Sequence, residues 1–234
     1  MSYVKPEYIN LLTPNILNSF NNTVLSYETC EGEINNQTLI NLGFNKVKPS
    51  ILMNIKLNDY NKNIQVDKIK YNLENDYKLL KKVNSIYNSN IDKINITCQK
   101  VILKKDEELR CEIQNSIFSA TTRVPLEIQD IETDIEQDYY IENLSLFIKI
   151  NDIAIGYGQI IFNRDMYTVV NFGIIKEFRK YGFGKILLNQ LIFEAKENGI
   201  YELFIRVEEN NFNALKLYNW IGFRPKSIIN KWER

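Results

Sequence analysis

The chain has 234 residues, room for one large or two small domains, and 44% of them are hydrophobic, enough to form a buried core. Its 29 basic and 29 acidic residues give a net charge of zero, so composition shows no electrostatic footprint for nucleic acid or an anionic membrane. There is no histidine, which excludes Ser-His and Cys-His nucleophile pairs and histidine metal ligands, and we predict no metal site.

The cellular compartment is predicted from features that the sequence lacks. No apolar run approaches the roughly 20 residues of a membrane span, and the first ten residues lack the basic and apolar regions of a signal peptide. Cys30, Cys98 and Cys111 are odd in number and far apart, as expected of thiols in a reducing compartment. We therefore expect a cytoplasmic protein with neither a membrane nor a nucleic-acid partner.

Residues 1–93 are predicted to form a smaller N-terminal α/β region. Residues 48–57 indicate a strand, residues 58–72 a polar connection, and residues 73–88 a solvated linking helix. We place the domain boundary near residue 93.

A short similarity links this region to the end of the chain. Leu42-Gly43-Phe44 is followed by a basic residue, Pro and Ser in nearly the same order as Ile221-Gly222-Phe223. Two interpretations stay open. Either the N-terminal region is a degenerate partial copy that covers only the tail of the C-terminal domain, or the ten-residue match is a coincidence.

From residue 94 onward the predicted order is strand, two helices and two strands. The elements are a strand at 94–103, helices at 105–118 and 126–137, and strands at 143–150 and 153–162. The second helix belongs to an acidic stretch, residues 127–138, that contains no basic residue. Such charge runs are typical of a solvated face.

The segment 167–188 carries the first functional motif. An apolar strand leads into the turn Arg179-Lys180-Tyr181-Gly182-Phe183-Gly184, and a helix follows at once. The first N–H groups of a helix have no partner, its dipole favours an anion, and glycine lets the backbone approach that anion. The spacing fits neither a Walker loop nor a dinucleotide fingerprint, where Leu187 would have to be small. A different phosphate loop and an ordinary strand-to-helix turn remain.

A second motif follows at a defined distance. Residues 200–207 alternate in hydrophobicity as a strand does, and the pattern Asn211-x-x-Ala214-x-x-Leu217-Tyr218-x-x-x-Gly222-Phe223 comes next. Ala214, Leu215 and Tyr218 are three and four residues apart and so share a helix face. A final strand is predicted at residues 224–233.

Together, the R-x-x-G-x-G loop and the second motif resemble those of the GNAT superfamily of acyl-CoA-dependent N-acyltransferases. The resemblance covers essentially all of residues 94–234, which would form the GNAT domain. It implies an α/β (α+β) fold with a mixed sheet whose two central strands splay apart. Under the repeat interpretation, residues 1–93 would be part of a degenerate second GNAT-like domain. The resemblance also implies that the first two helices and their loop form one wall of the acceptor site, so the acidic stretch 127–138 would either attract a cationic amine or be a solvated face.

The resemblance also implies acetyl-CoA as the co-substrate. Its pyrophosphate would bind the backbone N–H groups of residues 180–185, and its pantetheine would lie along the strand that ends at Ile174. The N–H of Ile174 would donate to the thioester oxygen, where charge develops in the transition state. Arg179 and Lys185 either assist the phosphates or are plain surface residues. The implied cofactor-binding residues are Phe172, Gly173, Ile174, Arg179, Lys180, Tyr181, Gly182, Phe183, Gly184, Lys185, Asn211 and Tyr218.

The catalytic residues are predicted less completely. Tyr218 matches the family residue that protonates the departing thiolate. A phenol of pKa ~10 can serve as this acid because it stays protonated at neutral pH. Its alternative role is to pack its ring on the core. The two positions of the family's general base hold Arg206 and Thr168 instead. Glu208 and Glu209 are the remaining base candidates, and a chain of water molecules is an equal alternative.

The sequence thus predicts an N-acetyltransferase that moves an acetyl group from acetyl-CoA to a primary amine of a small molecule or peptide by direct attack. The alternative is a non-catalytic CoA-binding sensor or scaffold. The intact loop, Asn211 and Tyr218 favour the enzyme, whereas the absent family base favours the alternative. A homodimer stays open.

Overall fold

A computed structural model describes residues 9, 11–18, 24–30, 36–58, 60, 64–119 and 123–234 of the chain. The chain divides into two compact units, Met1–Asn54 with Arg206–Arg234 (unit 1) and Ile55–Ile205 (unit 2). These units reflect packing, and the domain boundary predicted near residue 93 stays a prediction. Over the described ranges, none of the helices combines the length and the apolar character needed to cross a membrane.

Unit 2 follows the order of elements predicted from residue 94, preceded by two helices. Its elements are α3 (Ile64–Glu74), α4 (Tyr77–Tyr87), β4 (Ile96–Lys100), α5 (Glu107–Phe118), α6 (Ile128–Ile135), β5 (Tyr140–Ile150), β6 (Ile153–Asn163), β7 (Met166–Ile174), α7 (Phe183–Glu197) and β8 (Glu202–Glu208), whose last three residues belong to unit 1. Strands β4, β5, β6 and β7 pair antiparallel in that order, and β7 pairs in parallel with β8. The predicted mixed sheet is confirmed.

Two helices cover opposite faces of this sheet. A Cβ at Gly158 would contact Leu191 of α7, whereas the side chain of the next residue, Gln159, accepts a hydrogen bond from Arg110 of α5. Because successive residues of a strand face opposite sides, α7 and α5 sandwich β6. The buried stripe of α7 supplies much of the core; its fully buried members are Phe183, Leu187, Leu188, Leu191, Ile192 and Ala195.

The prediction for residues 58–72 was wrong, because α3 occupies residues 64–74. Val66 and Leu73 are buried on one side of this helix, while its many polar residues face outward. The prediction of a single helix over residues 73–88 is also wrong, because α3 ends at Glu74 and α4 begins at Tyr77. Asp76 caps a new helix, since its Oδ1 accepts hydrogen bonds from the N–H groups of Lys78 and Leu79, at 2.8 and 3.2 Å.

Unit 1 is built around one long strand near the end of the chain. Its elements are α1 (Pro14–Asn18), β1 (Ser26–Cys30), α2 (Asn36–Asn41), β2 (Asn45–Lys46), most of β3 (Ser50–Lys56), α8 (Phe212–Ile221) and β9 (Arg224–Glu233). β9 pairs antiparallel with β1, β2 and β3. One apolar cluster in this unit contains Ile9, Leu17, Tyr27, Leu39, Leu42, Phe44 and Trp232.

The two Gly-Phe segments that are similar in sequence also end their helices in the same way. Gly43 and Gly222 have positive φ angles of 84° and 124°. The N–H of Phe44 bonds the carbonyl of Leu39, five residues back, and Phe223 bonds Tyr218 likewise, at 3.0 and 2.9 Å. A glycine-terminated helix is common, so the interpretation as a partial repeat stays a prediction.

Candidate functional site

Strand β7 contains a β-bulge just before the residues predicted to bind pantetheine. On β6 one residue separates Tyr157 from Gln159, whereas two separate their partners on β7, Val170 and Gly173. One of those two, Asn171, has a φ of 51°, in the left-handed region that asparagine tolerates. A bulge re-aims the backbone, so the last residues of β7 point differently from the rest of the strand.

The pairing between β7 and β8 is short. Thr168 pairs with Phe204 and Val169 with Ile205, while β7 continues to Ile174. Five residues of β7 therefore extend past the paired segment of unit 2. They include the stretch predicted to lie along the pantetheine.

Gly173 lets helix α5 approach β7 directly. A Cβ at this position would lie 2.3 Å from Cγ2 of Ile117, a separation that real side chains do not reach. Any larger residue would push α5 and the strand apart. Gly173 was predicted to bind the cofactor, and the structure adds this packing role.

A loop with unusual backbone angles follows a 3₁₀ turn at Lys176–Phe178. Lys180 and Gly182 have φ angles of 70° and 111°. Among the residues that the structure describes, none accepts a hydrogen bond from the backbone N–H groups of residues 180–184. Helix α7 begins at Phe183, so its positive end coincides with these donors. The loop has the features expected of a phosphate site.

The side chains of this loop differ in what they contact. Arg179 is used by the fold, because its guanidinium donates to the carbonyl oxygens of Ile174 and Ile117, both at 2.8 Å. Phe183 is fully buried, with its ring 6.1 Å from that of Phe178, so only its backbone is suited to bind a ligand. Tyr181 is exposed. Direct phosphate contacts of these residues stay predictions.

Asn211 and Tyr218 belong to helix α8 of unit 1. Asn211 is the N-cap, and its Oδ1 accepts a hydrogen bond from the N–H of Ala214 at 3.2 Å. Tyr218 is 7% exposed, and its ring lies 6.1 Å from that of Phe223. Burial raises the pKa of the Tyr218 phenol to about 12. Both residues thus have structural roles, and their cofactor contacts stay predictions.

The two base candidates are exposed at the end of β8. Glu208 and Glu209 both lie in solvent, and the carbonyl of Glu208 accepts from the N–H of Asn211. Arg206, at one family base position, donates a hydrogen bond from Nη1 to Oε1 of Glu28 at 2.7 Å, within unit 1. Thr168, at the other, is part of the β7 ladder. The assignment of the general base stays a prediction.

A buried polar cluster under helix α6 was missed by the sequence analysis. Arg110 of α5 is 1% exposed and donates through Nη2 to Asp134 and, over 3.0 Å, to Gln159. Asp134 also accepts from the hydroxyl of Tyr139 at 2.7 Å. The amide of Asn171, on the β7 bulge, lies 3.5 Å from Gln159. The cluster therefore connects the acidic helix to the strand predicted to hold the acetyl group.

Only a weak signal in the sequence pointed to this cluster. Arg110 and Gln114 are one turn apart and lie on the inward side of α5 with Ile113 and Ile117. Two polar residues at this spacing within an apolar stripe indicate a buried polar network. Their partners on α6 and β6 come from distant parts of the sequence and cannot be paired by periodicity.

Residues 112–223 match the sequence model described as the Acetyltransferase (GNAT) family. This segment, a little under half of the chain, is thus similar in sequence to the GNAT acetyltransferases. The GNAT segment contains the bulged strand β7, the loop and helix α8. Arg110 and the helices α3 and α4 lie before it.

Two named relatives are also similar to the chain over shorter stretches. The chain is 38% identical over 85 residues to the ribosomal protein bS18-alanine N-acetyltransferase of Haemophilus influenzae, which is 36% of this chain and 58% of that protein. It is 33% identical over 64 residues to the protein of the same name from Salmonella typhimurium, 27% of this chain and 43% of that one. The chain thus spans about half the length of these relatives.

The overall GNAT fold is confirmed by a solved structure. A GCN5-related N-acetyltransferase from Sphaerobacter thermophilus superimposes with a TM-score of 0.64 at 14% identity, over 91% of this chain and 59% of that one. At this level of identity the likeness concerns the fold alone.

Proposed function

We propose that the protein transfers the acetyl group of acetyl-CoA to a primary amine. The observation that carries this proposal is the row of N–H groups at residues 180–184, for which the described part of the chain provides no acceptor. Consecutive amides at a helix N-terminus suit the oxygens of a pyrophosphate. The match of residues 112–223 to the GNAT family model favours an acyl-CoA as the ligand that carries this pyrophosphate.

In this proposal two groups of the chain act on the thioester. The N–H of Ile174 donates to the thioester oxygen and stabilises the negative charge that grows there as the amine attacks. Tyr218 donates its hydroxyl hydrogen to the leaving sulfur. A phenol with a pKa of about 12 is a weak acid towards an exposed thiolate, whose pKa is ~8.5. A buried thiolate is disfavoured by the same desolvation, which makes the proton transfer easier.

The acceptor is proposed to be a cationic amine, either of a peptide or of a small molecule. The carboxylates of residues 127–138 attract such an amine, and Asp134 is held in place by Arg110 and Tyr139. The names of the relatives specify an alanine of a ribosomal protein, which favours a peptide acceptor. Glu208, Glu209 or a chain of water molecules takes the proton that the amine loses.

Thermal unfolding with and without acetyl-CoA tests the site. A ligand at 100 times its dissociation constant stabilises the folded state by about 2.7 kcal/mol, or roughly 5–10 °C for a chain of this size. Gly184→Trp places a large side chain at the loop and is expected to remove the shift. Glu197→Trp, exposed at the other end of α7, is the matched control and is expected to retain it.

Release of CoA in the presence of amines then separates the two candidate functions. Acetyl-CoA binding together with amine-dependent release supports the enzyme. Binding without release from any peptide or small amine supports the alternative, a CoA-binding sensor or scaffold, which the presence of Arg206 at a family base position favours. No thermal shift at millimolar acetyl-CoA contradicts both the enzyme and the CoA-binding sensor, and favours the scaffold.

A further inference from the structure

Helices α3 and α4 pack against the phosphate loop although they lie before the GNAT segment. A Cβ at Gly182 would be 2.9 Å from Cγ2 of Ile69 in α3. The ring of Tyr87 in α4 stacks on Phe178, with centroids 6.3 Å apart and planes within 5°. The loop therefore has a wall that the two GNAT motifs do not contribute.

Lys82 extends from α4 to the middle of this loop. Its ammonium donates hydrogen bonds to the carbonyl oxygen of Glu177 and, over 3.3 Å, to the hydroxyl of Tyr181. Nζ lies 4.9 Å from the ring centroid of Tyr181 and 5.5 Å from that of Phe178. The aromatic rings hold the aliphatic stem and the charge, and two of the three ammonium hydrogens are used. The third is available to a ligand.

Lys82 makes no ion pair with the described residues. Within the described ranges, no carboxylate lies within 4.0 Å of Nζ of Lys82, Lys176 or Lys180. In this part of the chain, the ammonium of Lys82 therefore reaches the loop without an ion-pair partner, and the five N–H groups of the loop also have no acceptor. The donors of the backbone and the ammonium of the side chain therefore favour the same kind of ligand, an anion.

We propose that Lys82 binds a phosphate of coenzyme A, so that a helix outside the GNAT segment completes the cofactor site. This inference rests on the proposed function, because it assumes that the loop binds coenzyme A. The ligand carries a diphosphate and a separate phosphate on its ribose, and either can receive the ammonium. A hydrogen bond between two charged groups is stronger than a neutral one.

The test compares two lysines that are neighbours on α4. Lys82→Met keeps the aliphatic stem over the two rings and removes only the charge. Lys81→Met makes the same change at a residue whose Nζ lies over the ring of Tyr77, 4.7 Å from its centroid, and not at the loop. Calorimetric titration with coenzyme A is expected to show about tenfold weaker binding for Lys82→Met and less than about twofold for Lys81→Met. Lys82→Arg is expected to restore most of the affinity.

Titration with 3′-dephospho-coenzyme A identifies the phosphate. If Lys82→Met binds this ligand as tightly as the wild type does, the ammonium binds the ribose phosphate. If Lys82→Met still binds it about tenfold more weakly, the ammonium binds the diphosphate. Both results support the inference. Equal affinities of Lys82→Met and Lys81→Met for coenzyme A would overturn it while leaving the proposed function intact. A wild-type protein that binds no coenzyme A would overturn the proposed function itself.

Discussion

The guanidinium of Arg179 holds the carbonyl oxygen of Ile174, to which its Nε donates a hydrogen bond of 2.8 Å. Its Nη2 donates a second bond, also 2.8 Å long, to the carbonyl of Ile117 in the last turn of α5. Carbonyls of a last helical turn have no partner within the helix, and a cation is favourable there. One side chain therefore joins the loop, the end of β7 and the end of α5.

The two carbonyl contacts predict that Arg179→Lys is not a conservative change. Lysine lacks the planar fork that reaches both oxygens, so one carbonyl loses its partner. We expect the free energy of unfolding to fall by about 1–3 kcal/mol and acetyl-CoA to bind more weakly. Urea unfolding measures the first effect and calorimetry the second. The control is Arg123→Lys at an exposed arginine, and equal midpoints for the two variants would contradict the prediction.

The close approach of Gly173 to Ile117 predicts a coupled pair of substitutions. Gly173→Ala adds a methyl group 2.3 Å from Cγ2 of Ile117 and is expected to destabilise the protein by about 1–3 kcal/mol. Ile117→Ala removes that carbon but leaves a cavity. In the double variant the added methyl group has room. Its destabilisation should be at least about 1 kcal/mol less than the sum of the single changes, and simple additivity would contradict the direct contact.

The proposed role of Tyr218 predicts a loss of rate without a loss of fold. Tyr218→Phe removes the hydroxyl and should lower kcat by about 10²-fold, with little change in acetyl-CoA affinity. Because the pKa of the phenol is about 12, its ionisation should not limit the rate below about pH 11. The matched control is Tyr201→Phe at an exposed tyrosine. An unchanged kcat in Tyr218→Phe would contradict the assigned acid role.

The same pKa predicts how stability depends on pH. Burial raises the pKa of Tyr218 from 10.0 to about 12, so the unfolded chain loses this proton first as the pH rises. The contribution is fully present below pH 10 and is lost between about pH 10 and 12, where it amounts to roughly 3 kcal/mol. The free energy of unfolding should therefore fall less with rising pH in Tyr218→Phe than in the wild type over that range. Denaturant titrations at pH 9 and pH 11 measure this free energy, and an equal decrease in the two proteins would contradict the prediction.

The ion pair of Arg110 and Asp134 predicts that removing one charge destabilises the protein more than removing both. Asp134→Asn leaves the guanidinium, which is 1% exposed, without its carboxylate and should destabilise the protein by about 3–5 kcal/mol. Arg110→Met combined with Asp134→Asn removes both charges and should recover at least half of that loss. A double variant as unstable as Asp134→Asn alone would show that charge is not the cause.

The differences between prediction and structure have two causes. Residues 64–74 place Val66, Ile69 and Leu73 at helical spacing, and the prediction of one polar connection there overlooked this pattern. The β-bulge at Asn171, in contrast, has no sequence pattern, because it is defined by the register with β6. It depends on a partner strand that only folding brings alongside.

The sequence by itself determined the order of helices and strands from residue 94 and the position of the glycine loop that is proposed to bind phosphate. These depend on neighbouring residues: hydrophobic periodicity, glycines at Gly182 and Gly222 that adopt positive φ, and the N-cap at Asn211. The tertiary structure alone decided that Arg179 holds Ile174, that Arg110 meets Asp134 and that Lys82 reaches the loop. Such contacts join residues that only folding brings together, and no local pattern encodes them.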